Sequence, residues 1–207
     1  MSVKDIISRR FIESVLHFTT SDGFLGMISG DKKQVLPRAR LSDEKHLEFI
    51  ATPNAPVRTD TEWLDYVNLS ISKINPYYFK YSLGNHPTSI WIILDFRSEI
   101  LTHEGVIFVT TNNIYPKASR GSGDSGLEAL FASPLDNGKL VLTRNGKPDN
   151  VTTCNQAEIL YPGPLSLNFL NKVHVKDESG ANLISSQAAV CWNQKCEICV
   201  SPELFAV

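Results

Sequence analysis

Cys154-Asn155-Gln156-Ala157-Glu158-Ile159-Leu160-Tyr161 carries the pattern of a short strand. Alternate residues of a strand share a face, so Gln156, Glu158 and Leu160 are expected to point one way and Ala157, Ile159 and Tyr161 the other. An amide and a carboxylate on one face of an otherwise apolar strand are costly to bury without a purpose. A lone Glu in a strand is more often a solvated edge residue than a catalyst. The tripeptide Gln156-Ala157-Glu158 therefore takes its meaning from its company upstream.

Ser2 with Asp5 three residues on predicts a capping box and a helix through about Glu13. Val15–Thr19 reads as a strand, and Thr20, Ser21 and Asp22 offer caps for a helix over Phe24–Ile28 that stops near Gly30. Residues 31–65 are polar and broken by Pro37, Pro53 and Pro56. Tyr66-Val67-Asn68-Leu69-Ser70-Ile71-Ser72 is the clearest strand, with Val67, Leu69 and Ile71 dry and Tyr66, Asn68, Ser70 and Ser72 polar. Asn75-Pro76 predicts a helix start and Gly84 its stop. Ser89–Phe96 reads as a strand covered on both faces, and Val106–Thr110 as another.

Ser119–Gly126 is expected to be a mobile loop. Asn137-Gly138 and Asn145-Gly146 suggest hairpin turns around a strand at Leu140–Leu142. After Pro164 an amphipathic helix is expected through Asn171, then a strand at Val173–Val175. The sum is an α+β chain with strands predominating.

The chain has 207 residues, 42% of them hydrophobic and 20% charged, the composition of a globular protein with a core; a single domain over 1–207 is expected. A net charge of -2 excludes a general polycation, so nucleic acid would have to meet a local patch such as Lys117 with Arg120. The longest apolar run breaks at Asp95, too short to span a bilayer, and the N-terminus lacks the core of a signal peptide. Four cysteines are few for a disulfide framework, which points to a reducing cytoplasm.

With these segments in place, the chain resembles the DarT family of DNA ADP-ribosyltransferases, toxins of toxin–antitoxin pairs or agents of anti-phage defence. His17-Phe18-Thr19 ahead of a short helix resembles the family's first NAD element. Tyr66-Val67 opening a strand, with Pro76 and aromatics following, resembles the second. Gln156-Ala157-Glu158, a hydrophobic strand end and Pro164 resemble the third. The likeness runs from about residue 15 to 176, on short motifs. Leu69-Ser70-Ile71-Ser72 stands where better-known members carry a bulkier aromatic run, which resembles a branch that favours guanine over thymine.

The resemblance implies an ADP-ribosyltransferase-like fold, with central, mostly antiparallel β-sheets and short flanking helices around an NAD cleft. It implies NAD as co-substrate and single-stranded DNA as acceptor. It also implies an antitoxin that removes ADP-ribose; the transferase itself is expected to be a monomer. Glu158 is then the catalytic carboxylate and Gln156 the acceptor-placing residue. His17, Phe18, Thr19, Ser70 and Tyr78 fall in the cofactor site, Phe18 through its backbone. For the arginine serving NAD, Arg58 is preferred over Arg38 and Arg40. The physical case stands beside this: breaking the nicotinamide–ribose bond builds positive charge on the ribose, which a nearby carboxylate stabilises.

Three function classes remain open: a DNA ADP-ribosyltransferase, a protein-modifying transferase or NAD glycohydrolase on the same site, and a non-enzymatic binding module. Cys196 and Cys199 have zinc-ligand spacing near Cys191, but Cys154 and His174 are distant, so buried strand thiols are preferred and no metal is expected. Gly121, Gly123 and Gly126 are read as lacking the strand and helix that a phosphate loop requires. Tyr77, Tyr78 and Phe79 suit either core or a stacking surface.

Overall fold

The Ser2 hydroxyl accepts from the Asp5 N–H and the Asp5 carboxylate accepts from the Ser2 N–H, so the expected capping box opens α1 (Val3–Arg9). The helix ends well before Glu13, because Phe11 takes a φ of 52°, outside the helical region. The computed structural model describes residues 1–41, 61–192 and 196–206. β1 (Ser14–Thr20) runs into α2 (Ser21–Ser29), capped by the Thr20 hydroxyl, which accepts from Gly23 N–H. β2 (Gln34–Val35) and β3 (Tyr66–Ile71) follow, the latter alternating half-buried and buried as its sequence dictates. The Asn75 side chain accepts from the N–H groups of Tyr77 and Tyr78 and starts α3 (Pro76–Asn85), which runs through Gly84 to end one residue later.

β4 (Trp91–Arg97) is buried from Ile92 to Phe96, as expected of a covered strand. β5 (Ile107–Val109), β6 (Arg120–Ser122) and α4 (Gly123–Ala129) come next, then the hairpin β7 (Leu135–Asp136) and β8 (Val141–Leu142). Gly138 takes a φ of 89° at the hairpin turn, the freedom that an Asn-Gly turn exploits. β9 (Glu158–Pro162), β10 (Leu165–Ser166), β11 (Leu170–Val175), α5 (Glu178–Cys191) and β12 (Glu197–Val200) complete the described elements.

The sheet order is β12-β11-β4-β1-β3-β9-β5-β6, antiparallel throughout except for the β11–β12 pair. Ile92, Leu94, Val173 and Val175 join one core cluster with Ile6 of α1, Phe24 and Ile28 of α2, Leu127 of α4 and Ile184 of α5. Leu16 and Ile93 join a second with Phe79 of α3 and with Phe205. Lys33 ties two helix ends together, its Nζ donating to the carbonyls of Ile28 and Cys191. Among the described residues no helix is long and apolar enough to cross a membrane.

Four expectations are corrected. The glycine-rich segment 119–126 is not a loop but the strand β6 and the start of α4. Its glycines serve close packing: a Cβ on Gly126 would stand 2.4 Å from the Gly121 carbonyl carbon. The segment after Pro164 is not an amphipathic helix. It forms β10, a 3-10 turn at Leu167–Phe169 and then β11, because Leu165 is used to pair with Val35. The strand that carries Glu158 begins at Glu158 itself, and Gln156 lies in a preceding turn closed by Ala157 N–H to Cys154 O. The cysteines near the end are not all buried strand thiols: Cys191 is helical, and Cys191, Cys196 and Cys199 are only half-buried. The helix α5 has no counterpart in the sequence reading, although Asp177 caps it at Gly180 N–H.

Candidate active site

β1 pairs with β4 along its whole length, from Ser14↔Arg97 to Thr20↔Trp91, but with β3 only at Val15↔Ile71 and Leu16↔Ser70. Beyond Leu16 the two strands part, and β3 pairs on its other side with β9, from Tyr66↔Pro162 to Leu69↔Ile159. A cavity of about 1310 Å³ opens at this split, lined by β1, α2, β3, α3, Tyr115, Gln156 and Glu158. It exceeds the roughly 300–1,000 Å³ of ordinary small-ligand pockets. An extended ligand of dinucleotide size has room in it.

The Ser14 carbonyl accepts from Ser72 N–H, so that residue faces β3. By the alternation of a strand, the N–H and C=O of Phe18 face the same edge, beyond the last β1–β3 pair. The Phe18 ring is held by Tyr78, Phe79 and Trp91, with centroids 5.4, 5.0 and 5.8 Å away. A donor and an acceptor are thereby presented to the cavity from a strand that its aromatic neighbours fix.

His17 Nδ1 lies 2.9 Å from the Asn68 carbonyl. A carbonyl only accepts, so Nδ1 carries the proton, and in the neutral ring Nε2 is left as an acceptor. Burial pushes the His17 pKa below its ordinary value, and the bond to Asn68 offsets this only in part. His17 is therefore neutral at pH 7.

Glu158 opens β9 and is held from two sides. Asn68 Nδ2 donates to its Oε2 at 3.1 Å, and the Asn113 N–H donates to the same oxygen at 3.3 Å. Asn113 is itself clamped by Arg120, whose Nε donates to Asn113 Oδ1 at 2.7 Å and whose Nη2 donates to its carbonyl at 2.6 Å. The Arg120 guanidinium in turn lies 5.4 Å from the centre of the Trp63 ring. Asn68 and Arg120 were legible as residues but not as parts of a site. Asn68 shares the polar face of β3 with Ser70, the only signal it gives. Arg120 sits in the segment taken for a loop.

His17, Phe18, Thr19, Ser70, Tyr78, Gln156 and Glu158 all line this cavity. Arg58 lies outside the described residues. Of its alternatives, Arg38 lines the cavity, whereas Arg40 grips Asp65 through Nε and Nη2. Tyr77 and Tyr81 also line it, while Phe79 is fully buried, so the aromatic run divides between surface and core. Tyr115, absent from the sequence reading, donates its hydroxyl proton to Gln156 Oε1 at 3.1 Å.

Among the described residues no three or more His, Cys, Asp or Glu side chains are grouped to hold a metal ion. The Cys196 thiol is pushed up to about 11 by burial, which keeps it a poor ligand and nucleophile at neutral pH.

The fold is that of solved ADP-ribosyltransferases. Thermus sp. 2.9 DarT in complex with carba-NAD+ superposes with a TM-score of 0.64 at 13% identity, covering 93% of this chain and 97% of that one. The same protein in complex with ADP-ribosylated ssDNA gives 0.59 at 12% identity, over 94% and 96% of the two chains. Thermosipho africanus DarTG in complex with ADP-ribose gives 0.59 at 13% identity, over 93% of this chain and 51% of that longer one. No curated protein matches in sequence. A family model described as "ssDNA thymidine ADP-ribosyltransferase, DarT" matches residues 16–206, further toward the C-terminus than the motifs alone reach. With nearly the whole chain under that model, the protein belongs to the DarT family of single-stranded DNA ADP-ribosyltransferases.

Proposed function

We propose that this chain, as one domain over residues 1–207, transfers ADP-ribose from NAD to a base of single-stranded DNA and releases nicotinamide. The observation that carries the reading is the position of Glu158, held by Asn68 and Asn113 beside the β1–β3 split, in the same cavity as His17 and the backbone edge of Phe18. NAD suits the residues present. The cavity is large enough for a dinucleotide, the Phe18 backbone offers the paired donor and acceptor that a carboxamide needs, and neutral His17 offers Nε2 to a ribose hydroxyl.

In the reaction the bond between ribose C1′ and the nicotinamide nitrogen breaks, and its electron pair leaves with nicotinamide. The base forms a new bond to C1′ and gives up a proton. Glu158 opposes the positive charge that gathers on the ribose and holds its 2′-hydroxyl, and it or a neighbour accepts the proton of the base. Asn68 and Asn113 keep the carboxylate aimed, so no reorientation is required as charge develops. Arg58 is assigned to NAD positioning, Gln156 to the acceptor, and Thr19, Ser70 and Tyr78 to the walls of the NAD site.

Thymine is the base that the family description names, with guanine as the alternative suggested by Ser70 and its neighbours. The biological role we propose is that of a monomeric cytoplasmic toxin, of a toxin–antitoxin or anti-phage system. An antitoxin that removes ADP-ribose would be its partner, a reading supported by the likeness to the longer Thermosipho DarTG chain.

Purified protein incubated with labelled NAD and, separately, single-stranded DNA, RNA, duplex DNA and protein tests the assignment. Nicotinamide release with label on single-stranded DNA is expected. Label on protein alone moves the acceptor assignment, and no nicotinamide release at all overturns the enzymatic one.

A further inference from the structure

Gln156 is placed by two fixed segments. Its own turn is closed by Ala157 N–H to Cys154 O and anchored by Thr152 Oγ1 to that same carbonyl. Tyr115 is set by Tyr115 N–H to Asn112 O and by Ala118 N–H to Tyr115 O. Between them the Tyr115 hydroxyl donates to Gln156 Oε1 at 3.1 Å, and Lys139 Nζ stands 4.9 Å from the centre of the Tyr115 ring. A cation over a phenol ring draws density from it and favours its hydroxyl as donor over acceptor. Gln156 lines the cavity, and with its oxygen engaged the amide has Nε2 left to offer, a group that only donates. Nε2 has no protein partner among the described residues.

We propose that Tyr115 fixes the polarity of the Gln156 amide, and that Gln156 thereby selects the acceptor base by a lactam carbonyl. Thymine and guanine carry such a carbonyl beside a ring N–H; cytosine and adenine place an amino group there. The amide then meets an acceptor on a keto base, but two donors face each other on an amino base, leaving both unsatisfied. Tyr115 is a positioning residue in this scheme. Gln156 is the residue that reads the base. The inference rests on the reading of the cavity as a site of base modification, and it names what that site accepts.

Oligonucleotides of one length, with a single thymine or 5-methylcytosine, differ at that base by a carbonyl against an amino group and by the proton on the adjoining ring nitrogen. Their affinities are measured with carba-NAD bound, which holds the site in its loaded form without turnover. Thymine is expected to bind about tenfold more tightly, the scale of one good base-edge contact. Tyr115→Phe keeps the ring beneath Lys139 but frees the amide to rotate, and should shrink the ratio several-fold. Gln156→Glu still accepts from Tyr115 yet offers the base only acceptors, and should reverse the preference. A ratio within one variant does not depend on the fraction folded, and Gln156→Glu carries the test if Tyr115→Phe folds poorly. Equal affinities in the wild type, an unchanged ratio in Tyr115→Phe, or a retained thymine preference in Gln156→Glu overturns the inference. Failure of the underlying function shows separately, as absence of nicotinamide release from NAD.

Discussion

Glu158 and Asp95 are carboxylates on strands of one sheet, yet only Glu158 faces the cavity. Asp95 lies on β4, flanked along its length by β1 and β11, and is 4% exposed. It accepts from the Ser14 hydroxyl at 2.8 Å and lies 3.4 Å from His174 Nε2, while His174 Nδ1 lies 2.9 Å from the Ser201 hydroxyl. That network joins β1, β4 and β11 to Ser201, just past β12, and serves the sheet. Glu158 begins β9, on the far side of β3 from β1, and lines the cavity that opens where β1 and β3 part. Its donors aim it rather than enclose it. A strand carboxylate becomes a catalytic candidate here through the parting of two neighbouring strands, not through its own local sequence.

The comparison breaks most sharply at Glu158. Glu158→Gln keeps the shape and the bond from Asn68 but loses the charge that opposes the developing cation. Transfer should fall on the order of a hundred- to a thousandfold. Thermal stability should stay near the wild type, as measured beside labelled-NAD transfer. A Glu158→Gln protein that transfers at the wild-type rate sinks the catalytic assignment.

At Asp95 the opposite split is expected. Asp95→Ala leaves the part-buried Ser14 hydroxyl and His174 ring without this partner, and should cost about 1–3 kcal/mol of stability. Denaturant unfolding reads this directly, and rate per folded molecule should survive. Loss of activity in a protein of unchanged stability would show that the two networks are one.

How much of this was legible follows from the range of each interaction. Caps are local: Ser2, Thr20 and Asn75 were read correctly because donor and acceptor lie within three residues. The strand of Tyr66–Ile71 declared itself by alternation. The segment after Pro164 did not, because Leu165 pairs with Val35, far away in the chain, and that contact outweighs local pattern. Gly121 and Gly126 look like loop residues until the close approach that requires them is known. At the candidate site, His17 and Glu158, which both line the cavity, were singled out through motif resemblance. Asn68 and Tyr115 were missed because their roles exist only across 90 and 41 residues of sequence, respectively.

Asn68 sharpens the contrast from within the site. Asn68→Ala removes the Nδ2 donor to Glu158 Oε2 while the Asn113 N–H remains. A carboxylate still present but less well aimed should lower kcat about tenfold with little change in KM for NAD. Asn68→Asp, which places a second negative charge against Glu158, should be worse than alanine. Equal kcat in all three proteins would assign Asn68 to the sheet alone, alongside Asp95.

The smallest expected effect concerns His17, and it separates a ligand from a structural histidine by pH. Burial holds its folded pKa below the ordinary 6.5, so the neutral ring is the form the fold favours. As pH falls below about 6.5 the unfolded chain takes up the proton first, so the stability tied to neutral His17 is present above that value. It drains away until the lower, folded pKa is passed. NAD affinity follows a different threshold. Nε2 remains an acceptor until the folded ring itself is protonated, so binding should hold while stability is already declining, then weaken a few-fold. Ring titration by NMR locates the folded pKa, denaturant unfolding across pH gives the first threshold, and NAD titration gives the second. His17→Gln should flatten that part of the stability slope and remove the second threshold. A folded His17 that titrates at or above 6.5, or NAD binding that declines in step with stability, would return this residue to the role of a strand-end side chain bonded to Asn68.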